Sequence, residues 1–167
     1  MKTKIAVLAT VSPGGEQGGA ERFYQGLRAA LVDAGAVADV VSVVSDERDF
    51  LRVKESYLRF YDLDLSSYDA VISTKAPGYV VRHRNHLCYL QHTMRVFYDM
   101  FDEEFPSPSG ELIEQRNLIQ RLDTLALRPP KTHRIFTISH EVSKRLKEVN
   151  GLESQVLYQA STMAGIR

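Results

Sequence analysis

The sequence predicts an α/β protein with a Rossmann-like, doubly wound and mainly parallel sheet. Short apolar strands alternate with amphipathic helices along its 167 residues, which is typical of a parallel sheet covered by helices. The first strand, residues 5–9, is apolar on both faces, as in the middle of such a sheet. The helix that begins near Gly19 repeats its apolar residues every 3.6 positions.

The other elements continue this alternation. Further strands are predicted over residues 37–44, 68–74, 86–92, 133–138 and 155–158. Further helices are predicted over residues 111–127 and after Ser139, whose hydroxyl can cap the last one. Residues 50–61 are predicted as a helix or an irregular segment, and residues 79–84 as a short helix.

The composition indicates one soluble domain spanning residues 1–167. Equal numbers of basic and acidic residues, 21 of each, provide no electrostatic case for a nucleic-acid partner. The single cysteine, Cys88, excludes an internal disulfide and favours a reducing compartment, and no apolar segment resembles a signal peptide. We therefore expect a cytoplasmic protein.

Four glycines, Gly14, Gly15, Gly18 and Gly19, connect the first strand to the first helix. Such a loop lets a ligand approach bare backbone N–H groups at the positive end of a helix, whereas the alternative is a flexible surface loop. The spacing matches neither the P-loop nor the G-x-G-x-x-G fingerprint. Parallel topology would bring this loop to the same sheet edge as residues 75–78, residues 92–93 and Ser139.

Three segments resemble group 1 (family 4) glycosyltransferases. They are Pro13-Gly-Gly-Glu-Gln-Gly-Gly-Ala-Glu21, Tyr89-Leu-Gln-His-Thr-Met-Arg-Val-Phe-Tyr-Asp99 and Phe136-Thr-Ile-Ser-His-Glu-Val-Ser-Lys-Arg-Leu-Lys147. The resemblance implies one half of a GT-B fold, the acceptor-side N-terminal domain, with the donor-binding C-terminal domain absent from this chain. It implies retaining transfer of a sugar from a nucleotide diphosphate to a hydroxyl of a glycan or lipid-linked acceptor. It requires no obligatory metal and no cofactor, and it allows peripheral contact at the inner face of a membrane.

The resemblance also assigns roles to individual residues. His92 is the predicted catalytic residue near the donor sugar; the simpler alternative is a histidine bonded to backbone at a strand end. Gly18, Gly19, Glu21, Arg95 and Ser139 are the predicted donor- or acceptor-binding residues. An ion pair with Asp99 is the simpler account of Arg95, and a favourable interaction with the helix dipole is the simpler account of Glu21. No metal ligands are predicted.

Two further hypotheses remain open at this point. The chain could be a nucleotide- or flavin-binding Rossmann or flavodoxin-like module, or a non-catalytic carbohydrate-binding half-domain. The basic run of residues 82–86 is either an anion site or a solvated surface.

Overall fold

A computed structural model of the chain describes residues 2–14 and 19–159. The strands are β1 (Lys4–Val11), β2 (Val37–Val44), β3 (Ala70–Lys75), β4 (His86–His92), β5 (Arg134–Thr137) and β6 (Gln155–Val156). The helices are α1 (Gly19–Asp33), α2 (Phe50–Tyr61), α3 (Phe101–Glu104), α4 (Gly110–Leu127) and α5 (His140–Asn150). Short 3-10 turns cover Gly78–Val80 and Arg95–Phe97.

The six strands form a single parallel sheet in the order β2-β1-β3-β4-β5-β6. The predicted doubly wound α/β class is therefore confirmed. This order contains the 2-1-3-4-5 arrangement of flavodoxin-like folds and differs from the 3-2-1-4-5-6 order of dinucleotide-binding domains. The direction of winding reverses between β1 and β3, which makes that crevice the switch point of the sheet.

Helices cover both faces of the sheet. On one face, Phe23 and Tyr24 of α1 pack against Val7 and Ala9 of β1. On the other face, α2, α4 and α5 contribute the larger clusters, which include Phe60, Ile119 and Leu146. Because both faces are covered, the central strands are apolar throughout, as the composition of β1 predicts.

Strong local signals determine most element boundaries. The strands over residues 37–44 and 86–92 and the helix after Ser139 were predicted with the bounds observed. Residues 50–61 form a complete helix, whose first turn is capped by the Asp49 carboxylate accepting from the Arg52 N–H. Gly151 ends α5 in a left-handed conformation (φ 66°), which a residue with a side chain adopts only with strain.

Candidate functional site

The candidate site lies at the carboxyl edge of the sheet. Because all six strands are parallel, β1, β4 and β5 end at the same edge, and α1 begins there. Gly19 is the first residue of α1, whereas Gly18 lies outside the described residues. The segments that were predicted to converge, residues 75–78, residues 92–93 and Ser139, therefore share this edge with the start of α1.

His92 ends β4 and is partly buried. Its Nδ1 lies 2.8 Å from the carbonyl oxygen of Thr93, and because a carbonyl can only accept, Nδ1 carries the hydrogen. Burial lowers the pKa of His92, the Thr93 carbonyl opposes that shift, and the Lys75 cation lowers the pKa further. The ring is therefore neutral near pH 7, and Nε2 keeps a lone pair for a ligand hydroxyl.

An ion-pair network connects the segment after β4 to α5. Arg95 and Arg145 each place a nitrogen 2.8 Å from Asp99 Oδ2, and Arg145 also lies 2.9 Å from Glu141. Burial of Asp99 acts to raise its pKa, but the hydrogen bond from Arg95 and the charge of Arg145 lower it overall. The predicted Arg95–Asp99 pair is thus confirmed, and it leaves one half of the Arg95 side chain exposed.

Ser139 and Glu21 both serve the helices that they begin. The Ser139 hydroxyl accepts a hydrogen bond of 3.3 Å from the Val142 N–H and caps α5. Glu21 lies exposed in the first turn of α1, where a carboxylate favours the helix dipole. These structural roles were predicted for both residues, and their proposed ligand-binding roles stay predictions.

Lys75 is a charged residue of this edge that was not assigned a role from the sequence. It ends β3 in register with His92, and its side chain is half-buried. Among the described residues the ammonium group of Lys75 forms no ion pair within 4.0 Å and no hydrogen bond. Burial lowers the pKa of Lys75, whereas the nearby Glu47 carboxylate acts to raise it.

A buried carboxylate lies behind the cleft beside His92. Asp123 of α4 is fully buried and accepts hydrogen bonds from the hydroxyls of Tyr57 (2.6 Å) and Tyr98 (2.7 Å). Tyr98 in turn lines the small cleft that contains His92, Thr93 and Asp99. Burial raises the pKa of Asp123 to about 6, although the two tyrosine hydrogen bonds act to lower it.

The basic run of residues 82–86 lies at the other end of the sheet, and its last residue, His86, begins β4. Arg82 is 3.9 Å from Asp62, and His83 contacts the Tyr68 carbonyl at 3.0 Å. His86 is not a surface residue at all, because it is fully buried between Ser73 and Thr132. The run therefore does not contribute to the site around His92.

The part of the chain that the structure describes contains no group of three or more His, Cys, Asp or Glu side chains suited to a metal ion. None of its helices is both long and apolar enough to cross a bilayer. Comparison of the sequence with models of protein families and with curated proteins found no match. What the structure defines is a doubly wound α/β protein with polar and charged groups gathered at its carboxyl edge.

Proposed function

We propose that this chain is the acceptor-side half of a retaining glycosyltransferase of GT-B architecture, which transfers a sugar from a nucleotide diphosphate to an acceptor hydroxyl. A donor-binding domain would complete the active site over the carboxyl edge of the sheet. An acceptor anchored in a lipid bilayer would place the domain at the cytoplasmic face of that membrane. The proposal requires the chain to act together with a second domain, not alone.

One observation carries this proposal. The three sequence segments on which the resemblance rests are far apart in the chain, yet the described residues of each include the end of an element at the carboxyl edge of the sheet. The second segment is joined to the third by the 2.8 Å contact between Asp99 and Arg145. The first segment contributes the start of α1 at the end of β1. This convergence is what a shared substrate site requires.

His92 would contact the sugar through Nε2. Its Nδ1–H is held by the Thr93 carbonyl, which fixes both the tautomer and the orientation of the ring. A neutral imidazole fixed in this way can accept a hydrogen bond from a sugar hydroxyl, and the ring can face the positive charge that develops in an oxocarbenium-like transition state. The alternative is that His92 only forms the structural hydrogen bond to Thr93.

Two substitutions at His92 separate these alternatives. Asn places an amide N–H where Nδ1 lies but provides nothing at Nε2, whereas Gln reaches the Nε2 position. In the longest natural polypeptide that contains this chain, we expect His92→Asn to lower kcat/KM for nucleotide-sugar transfer by about 10- to 100-fold. We expect His92→Gln to restore part of the loss.

His133→Asn is the matched control, because His133 is exposed and lies at the opposite edge of the sheet, just before β5. Full activity of His92→Asn would remove His92 from the mechanism. Residues 1–167 alone are expected to transfer no sugar, since the donor half is missing. Turnover of a nucleotide sugar by residues 1–167 would contradict the proposal that a second domain binds the donor.

A flavodoxin-like module is the second candidate, because the observed strand order contains the 2-1-3-4-5 arrangement of that class. In such folds a mononucleotide binds at the switch point beside the first loop, which here is the crevice between β1 and β3. A flavin retained on purification would absorb in the visible range. A colourless protein that binds no flavin on titration would exclude the flavin form of this hypothesis.

A further inference from the structure

We propose that Lys75, Thr10 and Ser45 form an oxyanion site at the carboxyl ends of β3, β1 and β2, and that its ligand is a phosphate group of a small molecule. As a substrate subsite it rests on the proposed function, whereas phosphate binding itself does not. The three residues come from adjacent strands on both sides of the point where the sheet reverses its winding.

The first observation is that two buried hydroxyls at this edge have no partner. Thr10 and Ser45 are each 5% exposed, and the part of the chain that the structure describes offers neither Thr10 Oγ1 nor Ser45 Oγ a hydrogen-bond partner. Burying an unpaired hydroxyl costs free energy, and a folded chain rarely retains such a group without a reason. A ligand that accepts hydrogen bonds would satisfy both.

The second observation is the register of the three strands. Thr10 is opposite Val43, and the Ser45 N–H donates to the Val11 carbonyl at 2.9 Å, so Ser45 lies just beyond the end of β2. The pairing of β1 with β3 runs as far as Val7 opposite Ile72, and Thr10 and Lys75 each lie three residues further along their own strands, beyond an irregularity of β3 between Ser73 and Lys75. Neighbouring strands lie about 4.8 Å apart, so one small ligand can span these positions.

The third observation is the chemistry of the groups. Lys75 contributes a positive charge that has lost part of its hydration without gaining an ion pair among the described residues. An ammonium group with two hydroxyl donors suits the oxygens of phosphate, for which lysine is a common ligand. Gly78, which follows β3, packs close to this site, since a Cβ there would lie 3.5 Å from Phe60 and 3.8 Å from Thr10 Oγ1.

Glu47 is an acidic group whose charge acts on Lys75. It is exposed, follows β2, and interacts with Lys75 across a distance greater than an ion pair. Its negative charge would oppose a bound anion. Removing that charge should therefore strengthen phosphate binding, whereas removing the charge of Lys75 should weaken it.

The test is a titration of residues 1–167 with small anions, in which backbone amide NMR detects binding. Inorganic pyrophosphate represents the diphosphate of a nucleotide sugar, glycerol 1-phosphate represents a phosphorylated acceptor, and acetate tests for a carboxylate. We expect one of the phosphates to shift the amides at the ends of β1, β2 and β3. Both hydroxyl oxygens are covered by protein atoms, so a bound phosphate must displace neighbouring side chains. The amides of those neighbouring residues should therefore shift as well.

Four variants identify the ligand groups. Lys75→Met keeps the apolar stem and should weaken phosphate binding by about 10-fold or more. The matched control is Lys131→Met, because Lys131 is exposed and lies near the amino end of β5. Glu47→Gln should strengthen binding by about 2- to 5-fold, an effect that falls as salt rises. Thr10→Val should weaken binding while raising the melting temperature, since it removes an unpaired buried hydroxyl.

Opposite effects of Thr10→Val on stability and on affinity would not arise from a purely structural threonine. Equal phosphate affinity in the native chain and in a folded Lys75→Met would overturn the proposal, as would amide shifts confined to other parts of the sheet. A stronger response to acetate than to either phosphate would also overturn it. Phosphate binding together with no sugar transfer by the complete protein would retain this site and remove the glycosyltransferase.

Discussion

The buried polar side chain of His86 at the amino edge of the sheet is fully hydrogen-bonded, whereas two buried hydroxyls at the carboxyl edge are not. At the amino edge, both ring nitrogens of the buried His86 are paired: His86 contacts Ser73 Oγ at 2.7 Å through Nε2 and Thr132 Oγ1 at 3.1 Å through Nδ1. At the carboxyl edge, the hydroxyls of Thr10 and Ser45 have no partner among the described residues. Most buried polar groups in a folded protein are paired, so the two unpaired hydroxyls that lie close together here are the ones that we propose a ligand would satisfy.

Ion pairs form at both edges, including those of Arg95 and Arg145 with Asp99 at the carboxyl edge, and Lys75 differs from them. Near the amino edge Arg82 has Asp62 at 3.9 Å, and the Lys4 backbone N–H donates to Asp69 at 2.7 Å. At the carboxyl edge Lys75 is half-buried and forms no ion pair among the described residues. The amino edge should therefore respond to substitution through stability, and the carboxyl edge through binding.

The largest expected effect is the loss of stability in His86→Ala. The substitution leaves a cavity in a fully buried position and removes a hydrogen-bond partner from both Ser73 and Thr132. We expect the free energy of unfolding to fall by about 3 kcal/mol or more. Urea unfolding at pH 7 measures it.

His133→Ala is the matched control, since His133 is exposed and only its backbone N–H is engaged, by the His86 carbonyl at 2.9 Å. It should change stability by about 0.5 kcal/mol at most. Similar losses for the two histidines would mean that the network around His86 does not stabilise the amino edge.

The next largest effect concerns how stability depends on pH. Burial lowers the pKa of His86 from 6.5 to about 4, so the unfolded chain binds this proton more tightly and stability falls as the pH drops through that range. Burial raises the pKa of Asp123 from 3.8 to about 6, so the folded chain binds that proton more tightly and stability rises over nearly the same range. Each contribution is about 3 kcal/mol, and the two oppose each other.

Asp123→Asn should remove the opposing contribution, so that the pH dependence of stability due to His86 becomes measurable. The free energy of unfolding of the native chain minus that of Asp123→Asn should increase by about 2–3 kcal/mol as the pH falls from 6 to 4. One of Tyr57 and Tyr98 can still donate to the amide oxygen of Asn, and the amide NH2 can donate to the hydroxyl of the other. A difference that stays constant over this pH range would show that Asp123 is not protonated in that interval, and denaturation curves at several pH values decide it.

The fold was predictable from the sequence because its signals are local. The apolar strand over residues 37–44 and the helix that ends at Gly151 depend on periodicity and on caps, which a short stretch of sequence contains. The strand order depends on how the connections pack, and no local pattern encodes it. The parallel topology nevertheless correctly placed His92 and Ser139 at one edge.

The sequence did not predict which polar and charged side chains are buried. His86 lies in a basic run and yet is fully buried, because β4 begins at that residue and turns its side chain into the core. Asp123 occupies a helix rich in polar residues, and its partners Tyr57 and Tyr98 are far away in the chain. Lys75 was visible as a strand end, but its missing partner depends on the arrangement of three strands.

The smallest expected effect comes from Ser139, which both stabilises a helix and lies at the edge of the proposed ligand site. Its hydroxyl accepts from the Val142 N–H and caps α5, and it lies at the carboxyl edge where a ligand is proposed. Ser139→Ala should lower the free energy of unfolding by about 1 kcal/mol through loss of the cap. Thermal or urea unfolding at pH 7 measures it.

Ser139→Asp separates the two roles, because Asp also caps helices but adds a negative charge at the ligand edge. We expect it to preserve stability and to weaken phosphate binding. Asp49→Ala, which removes the cap of α2, is the control for the cost of losing a cap and should match the stability loss of Ser139→Ala. If Ser139→Asp binds phosphate as well as the native chain, the role of Ser139 is limited to capping α5.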